Sequence, residues 1–163
     1  MKSLYIMDTN VAKVADFDDS PQASLECQKR CYQFVEDIVI NKKIRLILDT
    51  RWAVMGEYRN VIKKKGGIGE QLIRLLASTI GSEEYSLLLP ITSQNGTFTE
   101  FPEDSRLVSF DPSDRKWIAL VRVYTQKYPD QPSPPIKQAT DDKWHAFEAF
   151  FKDYGIVIDW ICE

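Results

Sequence analysis

Short apolar runs that end in an acid alternate along the chain with segments of helical periodicity. Residues 4–8 and 44–48 are predicted strands, and Asp8 and Asp49 stand at their ends. Between them, apolar residues recur at helical spacing from 21 to 40. Alternating strands and helices predict a parallel sheet with helices on both faces. We therefore expect an α/β protein, a three-layer α/β/α sandwich with a central, mainly parallel sheet, in which residues 1–163 form a single domain.

The remaining elements follow from turn residues and periodicity. Ser20 is the predicted N-cap of the helix at 21–40, and Thr50 that of a helix at 51–65. Further helices are predicted at 69–80, from Asp111 onward and at 143–154, and further strands at 85–89, 107–110, 135–139 and 155–161. Residues 93–106 are polar and aperiodic, which indicates a loop.

Composition restricts the kinds of partner. The chain has 21 Lys and Arg against 24 Asp and Glu, a net charge of -3, which argues against nucleic-acid binding through bulk positive charge. Local basic clusters remain, such as Lys63-Lys64-Lys65. No signal-peptide pattern and no apolar run of about 18 residues is visible, so we expect a soluble cytoplasmic protein without membrane contact.

The three cysteines do not form a recognisable metal motif. Cys27, Cys31 and Cys162 with His145 are the one conceivable zinc set, and their spacing matches no zinc motif. We expect the cysteines to be packing residues on a helix face or surface thiols in a reducing compartment. His145 is expected at the surface or in packing.

Acids also recur near the predicted carboxyl ends of several strands. In open α/β sheets, ligands bind outside those ends, where the strand order reverses. Glu57 lies about two turns into the helix after the second strand, from where a long side chain can extend over the sheet edge. The acids near this edge come from four segments: Asp8; Glu57; Asp111 and Asp114; Asp141 and Asp142.

Taken singly, these acids have ordinary structural explanations. Asp8, Asp114 and Asp141 suit helix N-termini, and Asp111-Pro112 suits a turn. Taken together, crowded negative charges are costly unless a cation offsets them. Carboxylates without His or Cys suit Mg²⁺ or Mn²⁺, and such ions promote phosphodiester hydrolysis.

The segments "IMDTNV", "MGEYRNVI", "DPSDRKWIALV" and "ATDDKW" together resemble the PIN domain family of metal-dependent ribonucleases. The resemblance extends from residue 4 to about 161. It implies that four acids bind the metal and are catalytic: Asp8, Glu57, Asp114 and Asp141. Thr9 and Asn10 would be supporting groups and Asp111 an accessory acid. Asp142 is the alternative fourth ligand, since Lys143 stands where family members often have another acid.

The resemblance implies a Mg²⁺- or Mn²⁺-dependent endoribonuclease that cleaves single-stranded RNA, leaving a 5′ phosphate. Many such proteins are toxins held by a small antitoxin, and homodimers are common, with the helix at 21–40 as a candidate interface. Four basic residues are candidates for contact with the RNA backbone: Lys63, Lys64, Arg115 and Lys143. Trp52 and Trp117 are expected in the core.

Two other function classes remain open. The domain is alternatively a non-catalytic module for nucleic-acid or protein interaction, with a degenerate acidic pocket. A phosphatase or receiver-type pocket ranks last, because the expected D-x-D after the first strand is missing: Thr9 and Asn10 follow Asp8.

Overall fold

A five-stranded parallel sheet forms the centre of the protein. The computed structural model describes residues 2–17 and 23–163. The strands are β1 (Ser3–Met7), β2 (Ile44–Asp49), β3 (Ser86–Leu89), β6 (Ile136–Gln138) and β7 (Ile158–Trp160), in the order β3-β2-β1-β6-β7. Every neighbouring pair in this sheet is parallel. A separate antiparallel hairpin joins β4 (Ser93–Gln94) and β5 (Thr97–Phe98).

Six α-helices flank the central sheet in the described part of the chain: α1 (Thr9–Ala15), α2 (Leu25–Val39), α3 (Ala53–Val61), α4 (Ile68–Ser78), α5 (Arg115–Lys127) and α6 (Glu148–Lys152). Helices α1, α2 and α4 pack against one another, and α5 packs on β1, β2 and β3. The expected three-layer α/β/α sandwich is therefore confirmed. None of the helices within residues 2–17 and 23–163 has the length and apolarity needed to span a bilayer.

The strand order reverses next to β1. From β1 the chain adds β2 and β3 on one side, then returns to place β6 and β7 on the other. The register pairs Ile6 with Ile136 and Met7 with Lys137. In a sheet of this kind, the crevice beyond the carboxyl ends of β1 and β6 is the usual place for a ligand.

Several local predictions were wrong. Helix α1, which follows Asp8 directly, was not predicted. The predicted strand at 107–110 was wrong: a 3-10 turn at Ser105–Leu107 continues into a turn, in which the Phe110 N–H donates to the Leu107 carbonyl at 3.0 Å and both side chains are buried, three residues apart. Residues 143–154 are only partly α-helical, since a 3-10 turn spans Asp142–Phe147. The polar segment 93–106 contains the β4–β5 hairpin.

Helix starts also differ from the predictions. The predicted cap Ser20 lies outside the described residues, and Ser24 Oγ accepts the Cys27 N–H at the start of α2. Thr50 does not cap α3. Instead the Asp49 carboxylate accepts N–H groups from Ala53 and Val54, at 3.0 and 2.8 Å. A charged acceptor at the end of β2 thus satisfies the first turn of α3.

The cysteines are not three free thiols. Cys27 and Cys162 form a disulfide that ties α2 to the C-terminal segment, so the expectation of thiols was wrong for this pair, whereas Cys27 and Cys31 do pack on the buried face of α2 as expected. Cys31 is a buried free thiol, and burial raises its pKa to about 12. The apolar face of α2, including Phe34 and Ile38, is buried within the chain itself. That face is therefore already covered without a second copy of the chain.

Candidate active site

Asp8 has two roles in the structure. It is the N-cap of α1, and its Oδ1 accepts the Asn10 N–H at 2.9 Å. Its Oδ2 accepts the Gln138 amide at 3.1 Å, across the boundary between β1 and β6. The side chain is nearly buried, with 5% of its surface exposed. The same carboxylate therefore caps a helix and lies at the point where the strand order reverses.

Asn10 joins the two strand ends around Asp8. Its Oδ1 accepts the Ala139 N–H at 3.1 Å, and its Nδ2 donates to Thr140 Oγ1 at 2.7 Å. These bonds hold the segment after β6 against the start of α1. The role of Asn10 in the structure is thus to position the segment that carries Asp141.

Glu57 projects from α3 towards the same edge. The Thr9 hydroxyl donates to its Oε2, and the Lys116 ammonium lies 2.7 Å from its Oε1. Lys116 belongs to the first turn of α5, is 7% exposed, and also donates to the Ser113 carbonyl. Helices α1, α3 and α5 therefore meet through one hydrogen-bonded ion pair.

Asp114 precedes α5 and is half-buried beside Trp144. The Trp144 indole N–H donates to Asp114 Oδ2 at 3.4 Å. Asp111 lies at the surface, and its Oδ1 accepts both the N–H and the hydroxyl of Ser113 at 2.9 Å. These two bonds lower the pKa of Asp111. Asp111 is therefore a turn-forming acid, while Asp114 faces the protein.

Electrostatics show that the acids converge. Burial raises the pKa of Asp8 to about 7, and the negative charges of Asp114 and Glu57 contribute to the increase. Burial also raises the pKa of Asp114 to about 6, with contributions from Asp111, Asp141 and Glu57. Like charges raise a carboxyl pKa in this way only when they lie close together. Asp8, Glu57 and Asp114 thus lie close together at the switch point, and Asp141 lies close to Asp114.

The segment after β6 borders two cavities. Asp141 is half-buried and accepts the Lys143 N–H at 3.3 Å, while Asp142 and Lys143 are exposed. One cavity, of about 260 Å³, is lined by Asp111, Asp114, Lys143 and Trp144. The other, of about 320 Å³, is lined by Asn10 and by residues 140–143. Lys143 is common to both, so its ammonium is available at the rim of the acidic crevice.

The other basic candidates lie in different surroundings. Lys63 is exposed, whereas Lys64 donates to the Asp16 carbonyl at 2.6 Å. The Arg115 guanidinium donates to the carbonyls of Val108 and Phe110 and packs over the Phe101 ring. Arg115 thus has a structural role in the wall of a larger cavity of about 430 Å³, beside the β4–β5 hairpin, which none of the candidate metal ligands lines.

Three aromatic and imidazole residues also have defined places. Trp117 is fully buried as expected, but Trp52 is 45% exposed, so its assignment to the core was wrong. Both ring nitrogens of His145 face carboxylates, of Glu148 at 2.9 Å and Glu163 at 2.7 Å, and the ring stacks on Trp160. His145 is therefore committed to the C-terminal segment and does not serve the acidic crevice.

Sequence reasoning missed Lys116 and Gln138. Each left a weak signal. Lys116 lies four and eight residues before Leu120 and Tyr124, on the buried stripe of α5. Gln138 is two residues from Ile136, so both side chains point to the same face of β6, and both are fully buried. A polar residue within a buried stripe requires a partner, and here the partners are Glu57 and Asp8.

The carboxylate groups of the crevice suit a hard divalent cation, although their oxygen atoms are widely spaced. Asp8, Asp114 and Asp141 offer carboxylate oxygens, and burial, together with the nearby acids, raises the pKa values of Asp8 and Asp114, a cost that such an ion would offset. Among the described residues, however, the ligand atoms of no three acids all lie within 4.8 Å of one another. Lys116 supplies part of the compensating positive charge, because it lowers the pKa of Asp114.

Replacing Lys116 by Met is expected to have opposite effects on stability and on cation binding. The metal-free protein should lose about 2 kcal/mol of unfolding free energy, because Glu57 loses a buried partner. Mn²⁺ should bind more tightly, because a fixed positive charge has left the crevice. Urea unfolding and calorimetric titration with Mn²⁺ measure the two effects. Lys127→Met, at the exposed far end of α5, is the matched control. Weaker Mn²⁺ binding by Lys116→Met would contradict this account.

Comparison of the chain with protein-family models, with curated proteins and with solved structures found no match. The interpretation of the acidic crevice therefore depends on its own chemistry. That chemistry combines carboxylates from four separate segments, of which Asp8 is buried, with a buried lysine among them and an exposed lysine at the rim.

Proposed function

We propose that this protein is a Mg²⁺- or Mn²⁺-dependent endoribonuclease that hydrolyses phosphodiester bonds of single-stranded RNA. The observation that supports this best is the buried Asp8 carboxylate at the switch point of a parallel sheet, whose pKa burial raises to about 7, with smaller contributions from Asp114 and Glu57. Perturbed carboxyl groups in a cleft are typical of functional sites. The PIN-like motifs noted in the sequence supply the choice of reaction, since the same four acids are the metal ligands in that resemblance.

In this proposal, Asp8, Glu57, Asp114 and Asp141 hold the divalent ion, and Asp142 is the alternative to Asp141. Such an ion, when bound, supplies a water of lowered pKa and a counter-charge for the leaving oxygen. Gln138 and Asn10 orient the Asp8 carboxylate through the bonds described above. Thr9 orients Glu57.

Lys143 binds a phosphate of the RNA at the rim, and Lys63 extends the contact along the backbone. A small antitoxin and a second copy of the chain are partners that the family resemblance suggests.

The test is an assay with single-stranded RNA and Mn²⁺. We expect cleavage that EDTA abolishes, products with 5′ phosphates, and much slower cleavage of duplex RNA of the same sequence. Calorimetry with Mn²⁺ alone should give heat of binding. Binding of Mn²⁺ without any cleavage of a mixed-sequence RNA pool would contradict the proposed nuclease.

A second candidate is a non-catalytic interaction module, and the Lys116–Glu57 ion pair favours it. If the chain is such a module, the Lys116 ammonium takes the place of a metal ion as the partner of the acids. The two candidates differ in calorimetry, because the module is expected to give no heat with Mn²⁺. They differ also in the effect of Lys116→Met. In the module this variant should acquire Mn²⁺ binding that the unmodified chain lacks, because the lysine blocks the ion. In the nuclease the unmodified chain already binds Mn²⁺.

Lys143→Ala is expected to weaken RNA binding several-fold and to reduce the slope of log K against log salt by about 1, because one phosphate contact is lost. Fluorescence anisotropy with labelled RNA at several salt concentrations measures both. Binding should be measured in Ca²⁺, so that the substrate stays intact. Lys127→Ala is the control, since Lys127 lies at the opposite end of α5 from Asp114. Equal salt slopes for the two variants would remove Lys143 from the proposed RNA contact.

A further inference from the structure

Three cysteine sulfurs converge between the N-terminal half of α2 and the segment after β7. Cys27 and Cys31 are one turn apart on α2, and Cys162 comes from the segment after β7. The sulfur atoms of all three lie within 4.8 Å of one another, and the Cys31 and Cys162 sulfurs are 3.8 Å apart. No other group of three metal-ligating side chains meets this spacing in residues 2–17 and 23–163.

The surroundings hold this arrangement in place. Cys27 and Cys31 are buried on the α2 face that packs into the core, and Cys162 is half-buried. The segment that carries Cys162 is fixed by the Ile161 N–H, which donates to the Gln138 carbonyl at 2.9 Å. The adjacent Glu163 carboxylate lies 2.7 Å from His145 Nε2. The third sulfur is therefore held near α2 by contacts other than the disulfide.

We propose that Cys27, Cys31 and Cys162 form a three-thiolate site for a soft metal ion, of the class of Zn²⁺ or Cu⁺, when the Cys27–Cys162 disulfide is reduced. A dithiol reductant supplies two electrons and two protons and becomes a disulfide itself, while the Cys27–Cys162 bond becomes two thiols. The three thiols release their protons as the sulfurs bind the ion. Soft thiolate ligands select these ions over Mg²⁺ or Mn²⁺.

This site is chemically separate from the acidic crevice. The crevice offers oxygen ligands for hard cations, whereas the cysteine cluster offers sulfur ligands alone. In the oxidised chain only Cys31 remains a free thiol, so the disulfide and the metal are alternative occupants of the same cluster. Metal binding here would consequently depend on the redox state of the chain.

Cd²⁺ is a suitable probe, because cadmium–thiolate bonds give an ultraviolet charge-transfer band that carboxylates do not give. We expect the reduced chain, freed of reductant under argon, to bind one Cd²⁺ with this band, and the oxidised chain to show none. Cys31→Ala, a small change at a buried position, should lose the stoichiometric band while keeping the fold by circular dichroism. Asp8→Asn is the control and should keep the band.

Thiol labelling by a maleimide gives a second measurement that stays informative if reduction loosens the chain. Cd²⁺ added to the reduced chain after removal of the reductant should protect all three cysteines from labelling. The proposal is overturned if the reduced chain gives no charge-transfer band and no protection. It is overturned equally if Cys31→Ala binds Cd²⁺ as tightly as the unmodified sequence, since two sulfurs would then suffice.

Discussion

Replacing Asp8 by Asn is expected to reduce Mn²⁺-dependent RNA cleavage by roughly a thousandfold. The variant keeps the shape of the side chain but loses the negative charge at the carboxyl ends of β1 and β6. That factor corresponds to a loss of about 4 kcal/mol of transition-state stabilisation. This is the order of magnitude expected when a carboxylate ligand of a catalytic metal ion is removed. Single-turnover cleavage of a labelled single-stranded RNA measures the effect.

Two controls make this result interpretable. Asp142→Asn removes an exposed carboxylate in the same region and should change the rate far less if Asp141 is the fourth ligand. Circular dichroism should show that Asp8→Asn is folded, since Asn also serves well as an N-cap. Cleavage by Asp8→Asn at the rate of the unmodified chain would remove the acidic crevice from the proposed mechanism.

The same substitution is expected to stabilise the metal-free protein at alkaline pH. The pKa of Asp8 is about 7 in the folded chain, against an ordinary value of 3.8. Below about pH 4 the carboxyl is protonated in both folded and unfolded chains. Between about pH 4 and 7 the unfolded chain releases its proton first, so the free energy of unfolding decreases as the pH rises. Asn cannot ionise and therefore avoids this decrease.

The size of the effect follows from the pKa difference. A difference of about 3 units amounts to about 4 kcal/mol, from which the mismatch between Asn and the Gln138 amide subtracts about 1 kcal/mol. Urea unfolding in EDTA at pH 5 and pH 8 should show a much larger gain for Asp8→Asn at pH 8 than at pH 5. Mn²⁺ should raise the stability of the unmodified chain at pH 8 more than that of the variant. A loss of stability at pH 8 in EDTA would contradict the assigned direction.

The sequence was most informative where periodicity is strong. The strands at 4–8 and 44–48 and helices α2, α4 and α5 follow directly from apolar spacing, and their alternation predicts the parallel sheet. Short elements were less predictable: α1 has seven residues, and "LVSF" has the composition of a strand but buries Leu107 and Phe110, which are three residues apart in a turn. Tertiary packing determines such segments more than local propensity does.

Some residues of the candidate site could likewise be predicted from the sequence, and others could not. Acids after strands are visible in the sequence, because the carboxyl ends of parallel strands share one edge. Lys116 was not identified, because its partner Glu57 lies 59 positions away and the pairing depends on how α3 and α5 pack. The Cys27–Cys162 bond spans 135 positions, and no local pattern indicates which sulfur lies nearest to which.

The bond between Asp8 and Gln138 joins residues 130 positions apart, from the first and the fourth strand added to the sheet. During synthesis on a ribosome, the first strand emerges long before its second neighbour exists. A nascent chain that ends before residue 136 has Asp8 and Glu57 but lacks β6, Asn10's partners and Asp141. If the protein is the proposed ribonuclease, incomplete chains would therefore be inert towards RNA, because the acidic crevice is complete only once β6 has joined β1 at the centre of the sheet.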